Sequence, residues 1–371
     1  MNNSDKQLSF QNFFLSLLNE LSKREQEVLK KRYQLSADVP AKNTLKQIGD
    51  VYGITRERVR QIEKEAIGKL VIQSKADNYQ SQINEFEKAL KNFLAQKGGV
   101  VSENDLIENH ISQVYHFDEL HVNSFLFTIE NLIKGVERNN ENQDYYSFWH
   151  VSEIEQELIE KIVNDIASVL TTRKTVVSEA DLHSLIENEV VAELQHVHLA
   201  NLAEQTGKSL LDFAKSYIEV TKKVEKNILN TWGLAEWPDV RPKKLSDKIH
   251  LVFTKVEKPL HFRDVAEMIN TSNFDKKTIC AATVHNELIA NEGYVLIGRG
   301  IYAKKDWGYT PGTVTDIIVR ILNDESRPMS KDEIYQEVLK QRQVNPSTIY
   351  LSLINKDKFN KVEGGLFELN K

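Results

Sequence analysis

Gly53 stands between two stretches whose apolar residues recur at helical spacing. That glycine limits what residues 44 to 70, TLKQIGDVYGITRERVRQIEKEAIGKL, can fold into. Before it, Thr44 offers a hydroxyl to cap a helix carrying Leu45, Ile48, Val51 and Tyr52. A glycine closing that run can take the left-handed conformation that a tight turn requires. Ile54 then fills the angle between helices, and Thr55 caps a second helix starting at Arg56. Val59, Ile62, Ala66 and Leu70 form the inward stripe of that helix. The pattern is a helix-turn-helix.

The outward face of the second helix carries Arg56, Glu57, Arg60, Gln61 and Lys64. Arginine can bond a guanine edge through two donors, glutamine an adenine and glutamate a cytosine amino group, each worth roughly 1 to 3 kcal/mol of base discrimination. The plainer account is a solvated face with pairs such as Arg56 with Arg60 or Glu57 with Gln61. Two arginines one turn apart repel unless an anion lies between them, which favours DNA.

Residues 21 to 35, LSKREQEVLKKRYQL, followed by the stretch above, resemble region 4 of the sigma-70 family of transcription initiation factors. The resemblance implies a helical pair that contacts the flap of the RNA polymerase beta subunit, then a helix-turn-helix that reads a promoter −35-like element in double-stranded DNA. Carried over by position, Arg56, Glu57, Arg60 and Gln61 are the base readers. Thr44, Leu45, Lys46, Thr55, Arg58 and Lys64 approach the backbone, and Arg24, Glu25, Leu29 and Arg32 fall in the polymerase-facing half. Nothing else in the chain resembles sigma region 2, the part that melts the −10 element, so a complete sigma factor is not expected.

The net charge of −6 argues against nucleic acid until its distribution is considered. Residues 22 to 70 hold 12 Lys and Arg against 7 Asp and Glu, whereas 80 to 240 hold 13 against 27. The first segment attracts phosphates and the second repels them. Residues 243 to 309 return to 11 against 8. One cysteine, Cys280, excludes an internal disulfide framework and a four-cysteine zinc site, and fits a reducing cytoplasm. FFLSLL at 13 to 18 is too short to span a membrane.

A degenerate repeat follows the helix-turn-helix. Val101-Ser102 with Asp105-Leu106 recurs as Val177-Ser178 with Asp181-Leu182, as Leu260-His261 with Asp264-Val265, and as Met329-Ser330 with Glu333-Ile334. Each is a capping-box entry into an amphipathic helix, at intervals too irregular for a solenoid and suited to consecutive small domains. Each is followed by a hairpin-like segment: 145 to 151, 226 to 238, 293 to 309 and 359 to 371. Three helices and a β-hairpin describe a winged helix. The expected fold is therefore mainly α, with a region 4-like helix-turn-helix at 1–75 and four tandem winged-helix domains. These are expected at 80–151 and 152–242, both acidic, at 243–309, and at 310–371.

The 243–309 unit, with LHFRDVAEMI, VHNELI and YVLIGRGIYAKKDWG, resembles the HARE-HTH family, found also in the delta subunit of Gram-positive RNA polymerase. That resemblance implies association with nucleic acid or the transcription machinery. Lys276, Lys277, Thr278, Arg299, Lys304 and Lys305, with His285, form a possible second DNA surface. Ser347, Thr348 and Tyr350 are weaker candidates in the last unit.

Enzymatic readings find little. His196 and His198 sit two apart, which on a helix points them to different sides. IGRGIY lacks the GxxxxGK pattern of a phosphate loop. Cys280, beside Ile279 and Ala281, reads as buried packing. No catalytic residue, metal or cofactor is expected. The favoured function is a DNA-binding transcription factor associating with bacterial RNA polymerase. The alternative is a polymerase-binding adaptor or inhibitor acting by protein contact through the 21 to 35 helices and the acidic units.

Overall fold

A computed structural model describes residues 3–111, 119–190, 196–272 and 274–370. The chain forms two compact bodies, Met1–Glu225 and Lys226–Lys371. Both are mainly α with small β-hairpins.

The first body opens with helices α1 (Asn3–Asn19), α2 (Lys23–Tyr33), α3 (Leu45–Tyr52), α4 (Arg56–Gln73) and α5 (Asp77–Gln96). Ser22 and Glu25 make a reciprocal capping box at the start of α2. Gly53 ends α3 at φ 63°, the left-handed turn its position requires.

The core of this body crosses the break expected between 75 and 80. Phe10 of α1 packs on Phe86 of α5 at 5.1 Å and on Phe125, in the helix Glu119–Leu132, at 5.0 Å. Phe127 of that helix meets Tyr33 of α2 at 4.8 Å. Ala66 and Leu70 of α4 join the same buried cluster, as does Trp149. Such ring pairs add about 0.5 to 1.5 kcal/mol each beyond their buried area. The helix-turn-helix and the first acidic unit thus share a single core.

Strand Phe148–Val151 lies between Val100–Ser102 and Val136–Asn139, antiparallel to both. The hairpin expected within 145 to 151 therefore takes its first strand from 136 to 139, which sequence reading missed. Helices Gln156–Arg173, Glu179–Glu189, Val197–Thr206 and Leu210–Val220 follow. Tyr217 donates to the Gly98 carbonyl at 3.0 Å. A side chain at Gly98 would strike Phe213 at 2.4 Å, so glycine lets the last helix close on the first unit. Strand Val224–Lys226 spans the point in the chain where one body ends, and strand Trp232–Leu234 belongs to the second.

The second body repeats one plan. Helices Leu245–Val256, Phe262–Thr271 and Ala281–Ala290 precede strands Tyr294–Gly298 and Ile301–Lys304, with Leu260–His261 as the third strand of that sheet. Helices Val314–Glu325, Lys331–Gln341 and Pro346–Leu353 precede strands Phe359–Lys361 and Phe367–Leu369. Each half has its own apolar core. The halves are joined at the end of the helix Lys331–Gln341: the Gln341 side-chain amide donates to the Gly308 carbonyl at 3.2 Å, while the buried Arg342 guanidinium holds the connecting segment through the carbonyls of Thr310 (2.7 Å) and Gly312 (2.8 Å). The Gln343 amide donates to Ile297 O at 2.7 Å.

All four repeated capping positions cap. Ser102, Ser178 and Ser330 accept from the backbone amides of Asp105, Asp181 and Glu333, at 3.2, 3.1 and 3.3 Å. His261 does so through Nδ1, and to Arg263 N at 3.2 Å rather than to Asp264.

Candidate nucleic-acid interface

Two capped helix starts frame the interface. Thr44 accepts from Gln47 N at 3.3 Å while its own amide donates to Gln47 Oε1 at 2.8 Å. Thr55 accepts from Arg58 N at 3.2 Å. Gly49 holds the two helices at their angle: an added Cβ would lie 2.6 Å from Ile54 O. No larger residue leaves that turn unchanged. Val28, Ile48, Val59 and Ile62 are buried beneath it, with Leu45 and Ile54 packed against them. Leu45 is thus turned inward, and Val51, expected on the apolar side, is 61% exposed.

Arg56, Glu57, Arg58, Arg60, Gln61 and Lys64 are all exposed along the first turns of α4. The pairing differs from that considered from sequence. Arg60 forks onto Glu57 at 2.6 and 2.9 Å, three residues apart. Arg58 donates to Gln61 Oε1 at 3.0 Å and lies 3.9 Å from Glu65. The Arg60 guanidinium holds the Glu57 carboxyl below its usual range. Arg56, Lys46 and Lys64 have no ion pair among the described residues. Both partners of the Glu57–Arg60 pair are exposed, so solvent screens the pair and it holds weakly.

The acids of this module are largely engaged inside it. Glu63 accepts from Tyr33 at 3.0 Å and pairs with Arg32 at 3.3 Å, and Glu27 accepts from Tyr52 at 2.8 Å. Burial and that Glu27 contact push the Tyr52 hydroxyl up to about 12. Of the four residues expected to face polymerase, Arg24 is exposed and Arg32 half-buried. Leu29 is fully buried, and Glu25 is only 6% exposed, capping α2 and paired with Lys69 at 2.7 Å. Burial raises the Glu25 pKa, but hydrogen bonds from Lys69 and Ser22 outweigh it and hold the carboxyl low. Leu29 and Glu25 are structural residues here. Sequence reasoning missed Gly49 and the Ser22–Glu25 box; the S-x-x-E spacing was the available signal for the latter.

The residues expected to form a second DNA surface lie in two parts of the 243–309 unit, ahead of its third helix and on its hairpin. Lys276, Lys277 and Thr278 are exposed ahead of the helix Ala281–Ala290, and Arg299 is exposed at the hairpin tip. Lys304 pairs across the hairpin with Tyr294 and donates to Thr254 Oγ1 at 3.0 Å. With Lys305 it lies at the hairpin base, about 13 Å along the strand from Arg299. His285 stacks on Phe262 at 4.5 Å, inside the unit rather than toward a phosphate. Cys280, expected buried, is exposed at the N-terminus of that helix. His196 and His198, expected on different sides, stack at 5.5 Å because His196 lies just ahead of its helix. No group of three His, Cys, Asp or Glu among the described residues could hold a metal. No described helix is long and apolar enough to cross a membrane.

This geometry is that of a helix-turn-helix, and residues 17–70 match the family Sigma-70, region 4. The chain is 48% identical over 54 residues to RNA polymerase sigma factor SigA of Nostoc sp., a match covering 15% of this chain and 13% of that protein. It is 47% identical over 55 residues to the SigA proteins of Microcystis aeruginosa and Synechocystis sp., covering 15% of this chain and 13% and 12% of theirs. The N-terminal module is thus sigma-70 region 4-like, while the match spans about an eighth of the length of these relatives.

Proposed function

We propose that this chain is a DNA-binding transcription factor. It reads a −35-like promoter element through the 55–70 helix and associates with bacterial RNA polymerase in the cytoplasm. The carrying observation is the exposed set Arg56, Glu57, Arg60 and Gln61 on a capped helix, within the segment that matches region 4. Lys46, Arg58 and Lys64 would meet the backbone beside them, with the amino ends of α3 and α4 adding partial positive charge. The units at 80–151, 152–242, 243–309 and 310–371 are read as winged helices, the third of HARE-HTH type, that carry or orient this reading head. Their hairpins and repeated caps support that reading.

The adaptor reading loses ground because two of its four contact residues, Glu25 and Leu29, are committed to the interior. The test is binding of full-length protein to a −35-like duplex and to a scrambled duplex at fixed salt. Preference for the first, lost in Arg56→Ala and Gln61→Ala with unchanged circular dichroism, supports the proposal. Equal affinity for both duplexes overturns it.

A further inference from the structure

The helix Pro346–Leu353 holds the place in its unit of a third helix before a hairpin, yet it carries no charged residue. Ile349 and Leu353 fasten it to the core. Tyr350, Leu351 and Ile354 face outward, 45%, 64% and 50% exposed. Positions 350 and 351 lie four and three residues from 354, so the three form one ridge. Without a lysine or arginine this helix has nothing with which to neutralise a phosphate. The cation set against the ridge is on the neighbouring helix: Lys331 Nζ sits 4.8 Å from the Tyr350 ring and 5.0 Å from that of Tyr335. Nearby Glu333 does not quench it, being held by Arg327 at 3.0 Å and by the Ser330 amide at 2.7 Å. An exposed apolar ridge with an available ammonium at its edge complements an amphipathic helix whose flank is acidic.

We propose that this ridge docks an acidic amphipathic helix of a partner protein. Leu351 and Ile354 lie in its apolar stripe, and Lys331 meets a carboxylate beside it. The probe is a fluorescein-labelled synthetic helix of about 18 residues, with leucines at i, i+3, i+4 and i+7 and glutamates on the flanks. It is titrated with full-length protein by anisotropy. Saturable binding is expected, weakened roughly tenfold or more by Leu351→Ser or Ile354→Ser. Both side chains are mostly exposed, so melting should not change. Lys331→Glu should lose the acidic peptide and gain a lysine-flanked counterpart. No binding, or binding indifferent to Leu351→Ser and Ile354→Ser, would overturn the proposal. So would a labelled DNA duplex whose binding is lost with Leu351→Ser, which would make the ridge a nucleic-acid surface.

Discussion

Helix α4 and the helix Pro346–Leu353 each follow two other helices and turn one face to solvent, but they divide polarity in opposite ways. In α4 the exposed side is charged from Arg56 to Lys64, while Ala66 and Leu70 further along are buried under the first acidic unit. In the later helix the exposed side is apolar and uncharged. Helical geometry alone therefore does not make a DNA reader; the chemistry of the outward positions decides.

The largest expected effect comes from breaking the covered back of the reading module. Phe127→Ala removes a buried ring that touches Tyr33 and Phe14, and should cost about 3 to 5 kcal/mol. If the shared core is real, amide exchange in α2 and α4 accelerates together with that of the helix Glu119–Leu132. Acceleration in the latter alone would show two separate cores.

Next is the turn itself. Gly49→Ala places a methyl against the Ile54 carbonyl and should destabilise the module by about 1 to 3 kcal/mol. Gly53→Ala, at positive φ with nothing within 4 Å, tests backbone strain instead and should cost about 1 kcal/mol. Equal melting points for wild type and Gly49→Ala would contradict the close approach.

Arg56→Ala should lower affinity for a preferred duplex by about 1 to 3 kcal/mol without changing the melting point. Lys64→Ala should weaken all sequences alike and reduce the slope of log K against log salt by about 1. Leu351→Ser should leave both quantities unchanged, and a DNA-binding defect there would dissolve the contrast between the two helices.

The smallest effect is on pH. The folded-state carboxyl of Glu25 is held below its ordinary value of 4.5, so its stabilisation is fully present above that value. It is lost as the pH falls through the lower folded value. The difference in stability between wild type and Glu25→Gln, measured by urea melts, should therefore shrink in acid.

Features of the fold that depend on a few consecutive residues were legible in the sequence. Thr44, Thr55, Ser102, Ser178 and Ser330 cap as their spacing implies, because a cap needs only its own side chain and an amide two or three residues on. The polar outward face of α4 was legible for the same reason, since 3.6-residue periodicity separates the exposed Arg56 and Gln61 from the buried Val59 and Ile62. What escaped were facts made by distant partners. Thr254 draws in Lys304, Lys69 ties down Glu25, and Phe127 closes over Tyr33. Cys280 misled because apolar sequence neighbours do not reveal that a residue stands at a helix start.

The Gln341 and Gln343 contacts between the C-terminal halves have a consequence for how weak contacts combine. A flexible tether would make a ligand touching both C-terminal halves lose orientational freedom twice. With Gln341 fixed on Gly308 and Gln343 on Ile297, that freedom is already lost in the unbound protein. Two feeble grips on one ligand would then act as a single firm one, with Gln341 and Gln343 setting the distance and angle between them.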